Sequence, residues 1–138
     1  MRRRYLVLIV AVLALLPVPS GGATPTKSVR LAIAHVVSHC HVWRTTRSLL
    51  GPTLKLTVQR GDRVVIRPDC PMDFDFVQTK GPRLALGDPR TYAGSSRTLT
   101  FRRPGVYRLT TTNVQTPEER GLTVLGSSNT LTLTVVVK

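Results

Sequence analysis

From Leu54 to its end the chain alternates apolar and polar residues with a period of two, and this constrains the fold more than any other feature. "TLKLTVQ" sets Leu54, Leu56 and Val58 on one side of the backbone and Lys55, Thr57 and Gln59 on the other. "NTLTLTVVVK" repeats the pattern with Leu131, Leu133, Val135 and Val137. Successive side chains of an extended strand point to opposite faces, so such a segment buries one face and wets the other. "RVVIRP" is a further strand, halted at Pro68, and "MDFDFV" sets Phe74 and Phe76 against Asp73 and Asp75. "RTLTF" and "VYRLTTTNV" read as another pair. Gly and Pro punctuate these runs at "RGD" (Arg60 to Asp62), "KGP" and "RRPG". Upstream, "SVRLAIAHVV" places Val29, Leu31, Ile33, His35 and Val37 on one face, and "TPEERG" (Thr116 to Gly121) is expected to form one helical turn. Short strands separated by such turns predict an all-β, antiparallel sandwich.

The N-terminus sets the compartment. Arg2, Arg3 and Arg4 precede an apolar run from Tyr5 to Leu16, followed by Pro17, Pro19, Gly21, Gly22 and Ala23. This is the layout of a signal peptide, with cleavage expected after Ala23, so residues 1–23 are read as leader and 24–138 as a single secreted domain. The run is shorter than the roughly 20 residues a spanning helix needs. The paired arginines faintly match a twin-arginine signal, but the long Leu/Val stretch fits general secretion better.

Of the 20 lysines and arginines, three fall in the leader and none of the 7 carboxylates does, which leaves 17 against 7 in the exported part. A basic exported protein concentrates anionic partners, here cell-envelope polymers or lipid headgroups. Nucleic acid is excluded as an expected partner, because the exported part has no cluster longer than Arg102-Arg103 and few aromatics for stacking.

"SHCHVW", Ser38 to Trp43, holds two of the three histidines and one of the two cysteines. On a strand, His39 and His41 share a face and Cys40 takes the other, so the three cannot ligate one ion on straight backbone. An exported protein with two cysteines generally pairs them, and a Cys40–Cys70 bridge would close a loop of about thirty residues, worth roughly 3–4 kcal/mol in the chain-entropy model. The competing use of this stretch is a copper site built from His39 and His41, with His35 or Met72 as a further ligand, because imidazole with thioether suits Cu(I). The expected reading is a structural cysteine pair and histidines that pack or face solvent, with no cofactor; Trp43 is expected to close one end of the core.

Taken in order, "LKLTVQRGDRVVIRPDCPMDFDF", "LTFRRPGVYRLTTT" and the closing "LTLTVVV" resemble the plastocyanin/azurin-type cupredoxins over residues 54–138. The resemblance implies a cupredoxin-like, antiparallel Greek-key β-sandwich. It also implies where a type 1 copper centre would take its ligands, namely two His, one Cys and a weak Met. Met72 stands where the first His is expected after Pro71, and Thr111 stands where the Cys is expected after "PGVY". From Thr112 to Lys138 there is no His, Met or Cys. The family's electron-transfer chemistry is therefore not expected here.

Enzyme chemistry is not expected either. Asp73 and Asp75 lie about 6–7 Å apart on one strand face, a spacing compatible with paired carboxylates, but their alternation with Phe74 and Phe76 is that of a solvated strand face. Ser95, Ser96, Ser127 and Ser128 sit in turns without a His–carboxylate pair nearby in sequence. The chain thus reads as a secreted, non-enzymatic binding or structural module without a type 1 copper centre, and alternatively as a copper-binding protein with an atypical His/Met site.

Overall fold

The computed structural model describes residues 25–36, 41–114 and 130–138. Among these residues ten strands follow one another: β1 (Ser28–His35), β2 (His41–Arg44), β3 (Leu49–Gly51), β4 (Thr53–Val58), β5 (Arg63–Pro68), β6 (Phe74–Lys80), β7 (Arg90–Thr91), β8 (Arg97–Thr100), β9 (Gly105–Asn113) and β10 (Thr130–Val137). They form two five-stranded sheets, one ordered β3-β2-β1-β5-β8 and the other β4-β10-β9-β6-β7. The leader at residues 1–23 and the helical turn expected at "TPEERG" lie outside the described residues.

The period-two pattern translates directly into the core. Leu131, Leu133, Val135 and Val137 of β10 are buried and the intervening residues are not. Leu31 and Ile33 of β1, Val64 and Ile66 of β5, Phe74 and Phe76 of β6, and Tyr107 and Leu109 of β9 join them between the sheets. Trp43 is fully buried, and its indole N–H donates to the Thr132 carbonyl at 3.0 Å, a direct tie from β2 of one sheet to β10 of the other.

The all-β sandwich agrees with expectation, but its sheets are mixed rather than wholly antiparallel. β1 runs parallel to β5, with Ile33 opposite Pro68, and β4 runs parallel to β10, with Leu56 opposite Val135. The physical reason lies in the turns. β4 and β5, joined through "RGD", belong to different sheets, as do β8 and β9, joined through "RRPG". These turns are corners that carry the chain across the core, so each strand finds a neighbour distant in sequence. Where the chain does return along one sheet, β9 and β10 pair antiparallel over eight residues.

The two corners meet at one end, the base. Gly61 N–H donates to the Phe101 carbonyl at 2.7 Å and Phe101 N–H to the Asp62 carbonyl at 3.3 Å. Arg60 N–H donates to the Lys138 carbonyl and Arg63 N–H to the Lys27 carbonyl. Gly61 sits at φ +92°, a conformation side chains other than glycine's rarely adopt. Nearby, Gly81 at φ +103° lies so close to β9 that an added Cβ would stand 2.5 Å from the Val106 carbonyl oxygen.

Trp43→Phe keeps an aromatic ring but removes the inter-sheet hydrogen bond and leaves a small cavity, and should cost roughly 1–3 kcal/mol; Trp43→Ala should cost about 3–5 kcal/mol. Urea unfolding followed by far-ultraviolet circular dichroism measures both, and equal stability of Trp43→Ala and the parent would contradict the placement of Trp43 in the core.

Candidate functional site

The sequence candidates converge on the end opposite the base. β1 and β2 form an antiparallel pair with His35 opposite His41. The backbone beyond β5 is held beside β1 by Asp69 N–H donating to the Ile33 carbonyl at 2.9 Å, which brings Cys70, Pro71 and Met72 to the same end. β6 and β9 complete it, with Phe76 opposite Thr111 and Val114 N–H donating to the Asp73 carbonyl at 2.8 Å.

His41 is buried, and its ring meets the Phe74 ring edge-on with centroids 5.0 Å apart. The His35 ring lies 5.5 Å from it at an interplanar angle of 65°. Cys70 is packed into the core with no disulfide partner among the described residues, and burial pushes its pKa above that of an ordinary thiol. Met72 is half-buried against the core. Thr111 points inward from β9, 1% exposed, and its Oγ1 has no hydrogen-bond partner among the described residues. His39 and Cys40 lie outside the described residues, and with them the expected Cys40–Cys70 bridge and the pairing of His39 with His41. Among the described residues no three or more His, Cys, Asp or Glu side chains are grouped to hold a metal ion.

The carboxylates are engaged in holding loops. Asp73 accepts the Ala93 N–H at 2.8 Å, and Asp75 forms a two-pronged pair with Arg90, Nε to Oδ1 at 3.1 Å and the terminal nitrogen to Oδ2 at 3.3 Å. That pairing raises the Arg90 pKa, chiefly through the Asp75 hydrogen bond. Asp69 accepts the Arg44 guanidinium and faces Arg67 Nε at 3.8 Å.

Two organising residues escape sequence reasoning. Arg97 on β8 reaches into the gap between the sheets, where it donates to Thr91 Oγ1 and the Leu86 carbonyl, each at 2.6 Å, to the Arg90 carbonyl at 2.8 Å, and to the Asp88 carbonyl. Its guanidinium stands 5.2 Å from the centroid of the Phe76 ring, and desolvation lowers its pKa. Nothing in "SSRTL" distinguishes it from the other arginines. Asp62, visible only as a turn residue, is 6% exposed; its two oxygens accept the Lys27 N–H at 2.9 Å and the Gln59 N–H at 2.8 Å.

No family model matches the chain, and no characterised protein matches it in sequence. Solved structures do share its shape. A cysteine protease inhibitor, EhICP2, from Entamoeba histolytica superposes with a TM-score of 0.50 at 12% identity, over 84% of this chain and 100% of that one. A reduced amicyanin variant gives 0.45 at 18% identity, over 80% and 82%, and amicyanin from Paracoccus versutus 0.43 at 13%, over 83% and 85%. At these identities the likeness concerns the fold alone.

Non-reducing peptide mapping of protein recovered from an oxidising compartment should yield a Cys40–Cys70 crosslinked peptide, and Cys70→Ser should lower the melting temperature. Both thiols free in that material would contradict the bridge.

Proposed function

We propose that this chain is an extracytoplasmic, non-enzymatic β-sandwich that acts as a binding module of the cell envelope or extracellular space and carries no type 1 copper centre. The observation that carries this reading is Thr111. It occupies the inward position on β9 where the cupredoxin resemblance implies the copper thiolate, and it offers a buried hydroxyl instead. A neutral hydroxyl does not supply the charge or the soft sulfur that such a centre requires, so the residues present do not fit it. His41, packed edge-on against Phe74, supports the reading of that end as core packing. The Arg-rich start, apolar run and small residues of positions 1–23 support export.

One observation favours a second reading. The His35 and His41 rings are juxtaposed across the β1–β2 pair, with Met72 at the same end, and two imidazoles so placed supply the first donors of an atypical copper site in which His39 would also take part.

Copper titration separates the two. The leading reading expects no intense visible absorption with Cu(II), only weak, substoichiometric copper after dialysis, and an N-terminus near Thr24 in exported material. Any residual binding should weaken in acid, because protons compete with the metal for the imidazole nitrogens. Stoichiometric, sub-micromolar copper lost in His35→Ala or His41→Ala would overturn the leading reading in favour of the second.

A further inference from the structure

We propose that the free edge of β8 is a docking groove for an extended acidic peptide segment of another protein, which adds to the sheet as a sixth strand. This rests on the reading of the chain as a binding module and names the class of its partner.

Among the described residues β8 is the last strand of its sheet and is paired only with β5. Phe101, which continues β8, turns both its backbone groups toward the β5 side: its N–H donates to Asp62 and its carbonyl accepts from Gly61. Backbone direction alternates along an antiparallel pair, so Thr100 and Thr98 present their N–H and carbonyl groups to the opposite side. That side opens into a cleft of about 1050 Å³ between β8 and the segment from Arg83 to Gly87. Leu84, Leu86, Leu99 and Tyr107 contribute apolar lining. An extended segment beside β8 advances about 3.3 Å per residue, so the four residues of β8 match a partner strand of four to six.

Charge selects the partner. Arg83, Arg102 and Arg103 line the cleft and are exposed, and no carboxylate lines it among the described residues. The corner that carries Arg102 and Arg103 is fixed from beneath, because the buried Tyr107 hydroxyl donates to the Arg103 carbonyl at 2.7 Å. Upstream, Arg97 holds the far wall by its bonds to the Leu86, Asp88 and Arg90 carbonyls, so both sides of the groove are set before a ligand arrives. Exposed sheet edges are ordinarily covered or blunted, since they template pairing with any other chain. Here the arginines repel a second basic copy of this protein and attract an acidic strand.

The test uses protein recovered from cells expressing the full chain and a labelled, end-blocked hexapeptide of alternating Glu and Val. Fluorescence anisotropy should show saturable binding, and none with the Lys/Val counterpart. Methylation of alternate peptide nitrogens, which keeps the charge and blocks the ladder, should abolish binding. Arg102→Glu with Arg103→Glu, and separately Arg83→Glu, should weaken it about tenfold or more while circular dichroism shows the fold unchanged. Absence of saturable binding overturns the proposal, as does equal binding of the methylated peptide, and as does displacement by inorganic polyphosphate alone with wild-type binding in the arginine variants. Copper uptake measured on the same sample reports on the binding-module reading independently, so failure of the groove and failure of that reading are distinct results.

Discussion

The Asp62 carboxylate is the interaction on which the base of the sandwich depends. Two corners, the start of β1 and the end of β10 meet there, and each brings backbone groups that no ladder satisfies. Asp62 takes two of them, the Gln59 and Lys27 N–H groups, one on each oxygen. Charge-assisted bonds of this kind are stronger than neutral ones. They hold the carboxyl below its ordinary range, with the Gln59 bond as the largest cause, then that from Lys27. A group whose folded pKa is depressed stabilises the fold above its unfolded value, near 3.9, and that contribution is lost as pH falls through the folded value.

The two ends of the molecule are built on different physics. At the base, the Asp62 network fixes corners whose exposed residues are basic, and β8 runs out of it with its free edge beside Arg83, Arg102 and Arg103. At the far end, where the cupredoxin resemblance implies copper, the inward positions are filled by His41, Phe74, Cys70 and Thr111 packed as core. The proposed binding role therefore falls on the side of the sandwich where charge and unpaired backbone coincide. The far end contributes stability through packing, and its cysteine and histidines are the residues whose chemistry depends most on the segments adjoining them.

Much of this fold was legible in the sequence, because alternation reports which face of a strand is buried. It named every core residue of β10 and, in β6, the buried Phe74 and Phe76. Alternation says nothing about which strand is the neighbour, so "RGD" and "RRPG" read as turns between paired strands when they are corners between sheets, and the parallel pairs were missed. His41 to Gly51 escaped because β2 and β3 are too short to show a period, although Trp43 was expected in the core. At the candidate site the substitutions at Met72 and Thr111 were visible through the resemblance. The apposition of His35 with His41 depends on the β1–β2 register, and the roles of Arg97 and Asp62 depend on backbone groups distant in sequence; neither leaves a residue pattern.

The central claim, that one buried carboxylate ties the β4–β5 corner to the start of β1 at the base, is tested most directly by the pH dependence of stability in Asp62→Asn. The parent should lose stability as pH falls below about 4, while the variant, less stable at neutral pH, should lose less over that range, because the Asp62 share is absent and only the other carboxylates, such as Asp75 paired with Arg90, still titrate. Melting curves between pH 2 and pH 7 that coincide for the two proteins would contradict the account.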